Sequence, residues 1–220
     1  MIKMYYQMTG NSHMLVQSTK KDVKTNYRPV SLTCILCKVM ESIIRDQVMY
    51  HLRINNTLSP YQYGFINKRS TTLQLLNVLD KWTFELDQGK EIEGVYFDFQ
   101  KAFDSVPHKR LLLKLEKIGI KNKSLNWKKD FLENRYQVWL NGALSNIIQV
   151  KSGIPQGSVL GPILFIIYVN DNPDNIKSNI MLFADDAKLF QSITINQVDD
   201  TLLREDLQYL ETWSDHWLLK

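Results

Sequence analysis

The 220-residue sequence lacks the features of a membrane-spanning or secreted protein. Its longest strongly apolar run, residues 159–169, is about half of what a bilayer-crossing helix needs. The chain does not open with a basic segment followed by an apolar stretch and a small-residue cleavage site. We therefore expect no membrane association and an intracellular location, with no preference between nucleus and cytoplasm.

Cysteine and histidine are too few and too scattered for a zinc cluster. Cys34 and Cys37 form a C-x-x-C pair within an apolar stretch, and no second pair completes four zinc ligands. We predict that both are buried structural residues, with a redox or metal role as the alternative. The four histidines lack metal-ligand spacing, and we assign none of them chemistry.

Positive charge is concentrated near the N-terminus. Residues 1–70 carry ten Lys and Arg against three Asp and Glu, whereas the remainder carries seventeen against twenty. A second basic stretch covers residues 109–129 and fits either a phosphate-facing surface or a solvated helix face. Its lysines include Lys114, Lys117, Lys121, Lys123 and Lys128.

The first 90 residues predict two helices after an irregular leader. Residues 1–25 show no apolar periodicity, so we expect a loose leader there. Thr33 can cap a helix that runs to about residue 52, and Ser70 can cap one that stops near Gly89. The apolar positions expected to face the core are Val39, Ile43, Ile44 and Val48 in the first helix, and Leu73, Leu76, Leu79 and Phe84 in the second.

Strands and helices alternate in the rest of the chain, which predicts an α+β domain with helices on one face of the sheet. Residues 92–98 read as a strand, and Asn141-Gly142 is a strong hairpin signal. Two further strands flank Asp185-Asp186. The predicted helices cover residues 105–119, a buried segment at 159–170, and an amphipathic segment at 196–218.

Three carboxylates are expected to meet at one rim of this sheet. Asp98 ends a strand, and Asp185 and Asp186 lie at a hairpin turn. Carboxylate oxygens are the ligands that Mg²⁺ prefers, and two such ions can drive phosphoryl transfer. Taken alone, an Asp-Asp pair in a turn is also ordinary turn chemistry.

Longer motifs decide between these readings, because three of them resemble the catalytic motifs of reverse transcriptases. They are VYFDFQKAFDSVPH at residues 95–108, SGIPQGSVLGP at residues 152–162 and FADD at residues 183–186. NYRPVSL at residues 26–32 and GFINKRST at residues 64–71 resemble fingers motifs of non-LTR (LINE-type, Jockey-like) retrotransposon enzymes. The resemblance extends over residues 26–218.

This resemblance implies the fingers and palm of a polymerase right hand, with a small antiparallel palm sheet backed by helices. We expect residues 1–25 to be the leader, residues 26–90 the fingers and residues 91–220 the palm. Relatives continue into a thumb and usually carry an endonuclease. We therefore expect the chain to be a fragment of an element, truncated before the thumb.

The resemblance also implies the metal site. Asp98 and Asp185 would be the primary ligands of Mg²⁺, with Mn²⁺ as the alternative ion, and Asp186 would lie beside them. Asp104 is expected to be a structural hydrogen-bond partner. Arg28 would contact the template or pair with a structural carboxylate.

Further residues are implied to bind the incoming nucleotide. The ring of Phe103 would exclude a 2′-hydroxyl and so favour deoxynucleotides, the alternative being a core residue. Phe99, Gln156 and Gly157 would border the nucleotide. Lys68 and Arg69 would neutralise the triphosphate. The common pattern has Arg at position 66 and Gly at position 68, where this chain has Ile66 and Lys68, so the identity of the cation stays open.

The implied function is RNA-directed DNA polymerisation, in which a dNTP is joined to the 3′-hydroxyl of a DNA primer on an RNA template. Two alternatives remain. One is a catalytically silent nucleic-acid-binding remnant of such an element. The other is a maturase-like relative that serves intron splicing, for which the added RNA-binding domain is not visible.

Overall fold

Two β-sheets and seven helices make up the part of the chain that the computed structural model describes, namely residues 12–17, 27–31, 33–133, 137–140, 143–144, 146, 150–194 and 201–219. The strands are β1 (Ser12–Gln17), β2 (Tyr27–Ser31), β3 (Lys90–Asp98), β4 (Gln137–Leu140), β5 (Ala143–Leu144), β6 (Asn179–Phe183) and β7 (Asp186–Thr194). The helices are α1 (Ile35–Ile54), α2 (Thr71–Asp87), α3 (Ala102–Ser105), α4 (His108–Lys117), α5 (Asn122–Glu133), α6 (Gly161–Tyr168) and α7 (Thr201–Trp217).

A three-stranded antiparallel sheet has the order β3-β7-β6. Its strands are rich in β-branched and aromatic residues, and β6 and β7 bury their central residues. The predicted strands over residues 92–98 and on both sides of Asp185 are confirmed, within two residues at each end. The predicted small antiparallel sheet is confirmed with them.

A second sheet, of order β2-β1-β4-β5, joins the N-terminal strands to the middle of the chain. β1 runs antiparallel to β2 and parallel to β4. The expectation of a loose leader is therefore wrong for residues 12–17, which pair with the nearby β2 and with the sequence-distant β4. β4 and β5 pair antiparallel, as the Asn141-Gly142 signal predicts, although these two turn residues lie outside the described part of the chain.

Helices α1 and α2 form near the predicted positions, but their predicted core faces are only partly right. The four positions named in α2 are all exposed, for example Leu76 (56%), whereas in α1 Val39 (53%) and Ile43 are exposed, Ile44 is partly buried and Val48 is buried as predicted. The buried face of α1 also includes Glu41, which finds hydrogen-bond donors inside the protein. The buried positions are Cys37, Glu41, Val48 and Leu52 in α1, and Gln74 and Val78 in α2.

The C-x-x-C pair begins α1. Cys34 is the N-cap and accepts a hydrogen bond from the Cys37 N–H at 3.4 Å, so the helix starts one residue beyond the predicted Thr33 cap. Cys34 is exposed and Cys37 is buried, and their Sγ atoms lie 2.8 Å apart. The prediction of two buried cysteines is wrong for Cys34, because α1 begins at the protein surface, where the neighbouring Ile35 and Leu36 are exposed as well.

The main core forms around α6, in which every residue except Pro162 is buried. This confirms the predicted buried helix. Pro162 lies in the first turn, where a missing N–H costs little. α4 packs on α5 and α6, and the predicted amphipathic helix α7 adds Trp213 to the same core. Within the described ranges, no helix combines the length and apolarity that crossing a membrane requires.

Two lysines of the basic stretch lie inside the protein, so neither alternative given for that stretch holds for them. Lys114 is 5% exposed, and its Nζ donates to the Tyr168 carbonyl and to Asp171 Oδ1, both at 2.5 Å. The same Nζ lies 3.7 Å from the centroid of the Trp217 ring. Lys128 is fully buried and donates to Ser124 Oγ at 2.7 Å.

Because these two lysines are buried, we expect the free energy of unfolding to increase with pH in the alkaline range. Burial lowers the pKa of Lys114 to about 8 against the opposing effect of Asp171, and burial lowers the pKa of Lys128 to about 8. Between pH 8 and the ordinary lysine value of 10.5, the unfolded chain therefore holds more protons than the folded chain. The free energy of unfolding should rise there by up to about 1 kcal/mol per pH unit for each lysine.

Urea unfolding between about pH 8 and pH 10 measures this slope, and Lys114→Met should reduce it. Above pH 10 the raised pKa of Tyr168 acts in the opposite direction, because the folded chain then holds the additional proton. An unchanged slope in the Lys114→Met variant would show that Lys114 titrates alike in the folded and unfolded chains.

Candidate active site

Strand β3 brings Asp98 to one end of the three-stranded sheet. β3 ends at Asp98, and the antiparallel register places Asp98 directly opposite Asp186, the first residue of β7. Directly opposed residues of an antiparallel pair project from the same face of the sheet. Two carboxylates that are distant in sequence are therefore neighbours in the fold.

The connection between β6 and β7 supplies the third carboxylate. β6 ends at Phe183 and β7 begins at Asp186, so Ala184 and Asp185 form a two-residue turn. Ala184 has a φ of 56°, a left-handed conformation that tight hairpin turns use and that a residue with a Cβ adopts at a cost. Asp185 follows it directly and lines the same cavity as Asp98.

This cavity has a volume of about 380 Å³ and unites most of the predicted site residues. Four segments form its wall: the end of β3 with α3, the loop at residues 155–158, the first turn of α6, and the β6–β7 turn. Asp186 belongs to the adjoining end of the sheet through its pairing with Asp98. The lining residues are Asp98, Phe99, Lys101, Ala102, Phe103, Asp104, Pro155, Gln156, Gly157, Ser158, Pro162 and Asp185.

The Pro-Gln-Gly loop is held from two sides. The Gln156 Nε2 donates to Asp104 Oδ1 at 2.8 Å, and the Gln156 carbonyl accepts from the Ser31 N–H at 2.8 Å. Gly157 has a φ of 88°, a conformation that glycine adopts without strain. The structural hydrogen-bond role predicted for Asp104 is confirmed by the contact with Gln156.

Sequence reasoning missed a carboxylate that anchors the end of this loop. Glu41 in α1 is fully buried, and its Oε2 accepts from the N–H groups of Val159 at 2.7 Å and Leu160 at 3.2 Å. Ser158 Oγ accepts from the Gly161 N–H at 3.0 Å. Together they satisfy the N–H groups of Val159, Leu160 and Gly161, which lead into α6. The sequence carries no signal for this role, because Glu41 has the charged neighbours Lys38 and Arg45 at helical spacing.

Phe103 and Phe99 lie in the cavity wall with different surroundings. The Phe103 ring stacks on the Phe165 ring, with centroids 4.5 Å apart, and is partly exposed. Phe99 is 8% exposed and packs against Phe97 and Trp213. Phe103 therefore presents a ring backed by the core, whereas Phe99 belongs mainly to the core. Their roles toward a nucleotide stay predictions.

The predicted fingers cations do not line this cavity. The Nη1 of Arg69 donates to the carbonyls of Pro60 at 2.7 Å and Gln62 at 2.5 Å, which fixes the segment before α2. Lys68 is exposed on the same segment. The cation in the described wall is Lys101, which sequence reasoning did not select. The side chain of Arg28 lies outside the described part of the chain.

The carboxylates suit a hard divalent cation by their chemistry. Mg²⁺ is usually held by one or two carboxylates together with substrate phosphates. Asp98 and Asp185 offer two carboxylates to one cavity, and Asp186 pairs with Asp98 at its edge. Within the described residues, no group of three or more His, Cys, Asp or Glu side chains is placed to hold a metal ion, so the predicted meeting of all three carboxylates around an ion stays a prediction. An open site that shares its ion with a substrate is the arrangement these residues fit.

Solved structures resemble this chain across nearly its whole length. Apo telomerase from Candida tropicalis, truncated from its C-terminal domain, superimposes with a TM-score of 0.64 at 13% identity and covers 96% of this chain and 48% of its own. Telomerase from the same organism in complex with a fragment of telomeric RNA gives 0.64 at 11% identity, covering 94% and 39%. The fold is thus the α+β right hand of polymerases, as predicted.

Sequence comparison then gives the family. The model for reverse transcriptase (RNA-dependent DNA polymerase) matches residues 18–220, and the chain belongs to this family. The RNA-directed DNA polymerase from the mobile element jockey of Drosophila melanogaster is 30% identical over 90% of this chain. The probable RNA-directed DNA polymerase from the X-element transposon of the same organism is 30% identical over 87% of this chain.

The chain spans only 22% of the length of each of these two relatives. The jockey polymerase of Drosophila funebris shows the same relation, with 30% identity over 95% of this chain and 24% of the relative. The resemblance to LINE-type retrotransposon enzymes that the motifs indicated is therefore confirmed.

Proposed function

We propose that this chain is the catalytic core of an RNA-directed DNA polymerase of a retrotransposon. One observation carries the proposal: Asp98 and Asp185 line a single cavity together with the loop that bears Gln156 and Gly157. In the proposed reaction, the 3′-hydroxyl of a DNA primer attacks the α-phosphorus of a dNTP. A phosphodiester bond forms, the bond to pyrophosphate breaks, and the hydroxyl proton is released.

Asp98 and Asp185 would hold Mg²⁺, with Asp186 assisting and Mn²⁺ as the alternative ion. When bound, two such ions lower the pKa of the attacking hydroxyl and stabilise the leaving oxygen. The two carboxylates would fix the place at which the reacting groups meet. Asp98 ends β3, and Asp185 lies in the turn just before β7, the strand that pairs with β3. A rigid sheet edge supports the orientation that phosphoryl transfer requires.

Other residues in the wall would orient the nucleotide. The Phe103 ring, backed by Phe165, would close the space that a 2′-hydroxyl needs. Gln156 and Gly157 would border the nucleotide, with Asp104 holding the Gln156 amide in place. Phe99 would support this wall from the core.

Positive charge would neutralise the triphosphate from two sides. We assign the palm side to Lys101, since it lies in the same wall as the carboxylates. Lys68 would act from the fingers. Arg69 would contribute with the guanidinium edge that does not hold the carbonyls of Pro60 and Gln62. We place the fingers at residues 26–90 and the palm at residues 91–220.

The test is incorporation of labelled dTTP on a poly(rA) template primed with oligo(dT). We expect incorporation that requires Mg²⁺ and is lost in the double variant Asp185→Asn, Asp186→Asn. The matched control is Asp215→Asn, which removes an exposed carboxylate of α7 and should retain incorporation. Equal incorporation by the double variant and the unmodified chain would refute the proposed site.

The same chain and primed template also test the catalytically silent alternative. A remnant would bind the primed template with an affinity that falls as salt rises, and it would incorporate no nucleotide. Adding a thumb from a family member would then restore synthesis if the carboxylate site is intact. Continued silence with the added thumb would favour the remnant.

A further inference from the structure

The segment before α2 runs beside the outer strand of the three-stranded sheet. The Leu182 N–H donates to the Tyr61 carbonyl at 2.9 Å, and the Tyr63 N–H donates to the Leu182 carbonyl at 2.8 Å. Gln62 thereby forms a parallel bridge with Leu182 in β6. This segment of the predicted fingers is attached by backbone hydrogen bonds next to the turn that carries Asp185.

The side chain of Gln62 reaches into that turn. It is 2% exposed, and its Oε1 accepts from the N–H of Ala184 and the N–H of Gly64, each at 2.8 Å. Its Nε2 donates to the Ala184 carbonyl at 3.4 Å. One buried amide therefore holds both backbone polar groups of Ala184. Buried amides satisfied in this way fix the geometry around them.

Ala184 needs such support because its left-handed φ of 56° is costly for a residue with a Cβ. The next residue along the chain is Asp185, so the conformation of Ala184 sets the direction in which Asp185 leaves the turn. The segment that carries Gln62 lies in close contact with the turn, because a Cβ at Gly64 would lie 2.5 Å from the Ala184 nitrogen. A side chain at position 64 would displace the turn.

We propose that Gln62 is a positioning residue, which holds the Ala184 turn so that Asp185 presents its carboxylate beside Asp98. The role rests on the proposed metal site and adds to it a residue that lies outside the cavity. It also couples the predicted fingers to the metal site, because the segment that carries Gln62 leads through Arg69 into α2.

The test measures Mn²⁺ binding by the whole chain. The electron paramagnetic resonance signal of the free ion reports how much Mn²⁺ stays unbound. Gln62→Met keeps the length of the side chain and removes its hydrogen bonds, so we expect binding about tenfold weaker. The matched control is Gln74→Met, which changes an equally buried glutamine of α2 (2% exposed). It should stay within about twofold of the unmodified chain, at a comparable loss of thermal stability.

A second background separates positioning from a general loss of stability. Ala184→Gly removes the steric cost of a positive φ, so the turn no longer depends on Gln62 to the same extent. In that background, Gln62→Met should weaken Mn²⁺ binding by less than about threefold. Because glycine accommodates the turn, this pair can be compared even if Gln62→Met alone fails to fold.

The double variant Asp98→Asn, Asp185→Asn separates the two proposals. If it loses Mn²⁺ binding while Gln62→Met binds as well as Gln74→Met, the positioning role is wrong and the metal site stands. An equal loss from Gln62→Met in both Ala184 backgrounds would also overturn the positioning role. If the double aspartate variant binds Mn²⁺ like the unmodified chain, the metal site is wrong, and the role of Gln62 is wrong with it.

Discussion

Replacing Asp98 by Asn is expected to lower Mg²⁺-dependent dNTP incorporation at least about a thousandfold. The amide keeps the size and shape of the side chain but loses the charge that a divalent cation requires. Asp98 ends β3 and itself lines the cavity, so its carboxylate would contact the ion directly. Single-turnover incorporation measures the loss.

Asp104→Asn is the matched control, because it makes the same chemical change in the same cavity wall. Asn retains an Oδ1 that can accept from the Gln156 Nε2, so the loop should keep its place. We expect incorporation within about tenfold of the unmodified chain. Equal losses in the two variants would mean that the cavity needs negative charge in general and that Asp98 has no special role.

Replacing Phe103 by Val is expected to reduce the preference for dNTP over rNTP about a hundredfold. The smaller side chain leaves room for a 2′-hydroxyl above Phe165, on which the Phe103 ring now stacks. Incorporation of dNTP should change far less than incorporation of rNTP. The ratio of kcat/KM for dTTP and UTP on the same primed template gives the result.

Phe131→Val is the control for packing. Phe131 is 3% exposed and stacks on Trp127 in α5, outside the cavity wall. It should cost stability and leave the choice of sugar unchanged. If Phe103→Val lowers the incorporation of both sugars equally, the ring is a core residue and the steric role is wrong.

The elements that carry the carboxylates could be predicted from sequence because their signals are local. A β-branched and aromatic run ends at Asp98, and two such runs flank Asp185. The buried helix α6 is uniformly apolar, so its burial required no knowledge of its neighbours. The three long motifs then related these elements to the catalytic region of reverse transcriptases.

Positions that depend on partners distant in sequence could not be predicted in this way. Glu41 reads as a surface residue until the N–H groups of Val159 and Leu160 are placed beside it. Lys114 reads as a basic surface residue until Asp171 and the Trp217 ring enclose its ammonium. In both cases a buried charge is stable only because tertiary structure supplies its partners.

The fingers segment shows the same limit within a recognised motif. The motif at residues 64–71 has basic residues, which predicts that Arg69 contacts the triphosphate. The structure directs its Nη1 to the carbonyls of the segment that carries Gln62. Gln62 carries no signal in the sequence, because an isolated glutamine forms no pattern, and its role appears only when Ala184 lies next to it.

We propose that Asp98, Asp185 and Asp186 serve template-directed DNA synthesis. The most direct test is addition of a single nucleotide to a DNA primer on RNA templates that differ only in the next base. We predict that the complementary dNTP alone is added, that addition requires Mg²⁺ or Mn²⁺, and that Asp185→Asn abolishes it. Addition that ignores the template base, or that persists in Asp185→Asn, would contradict this role of the three carboxylates.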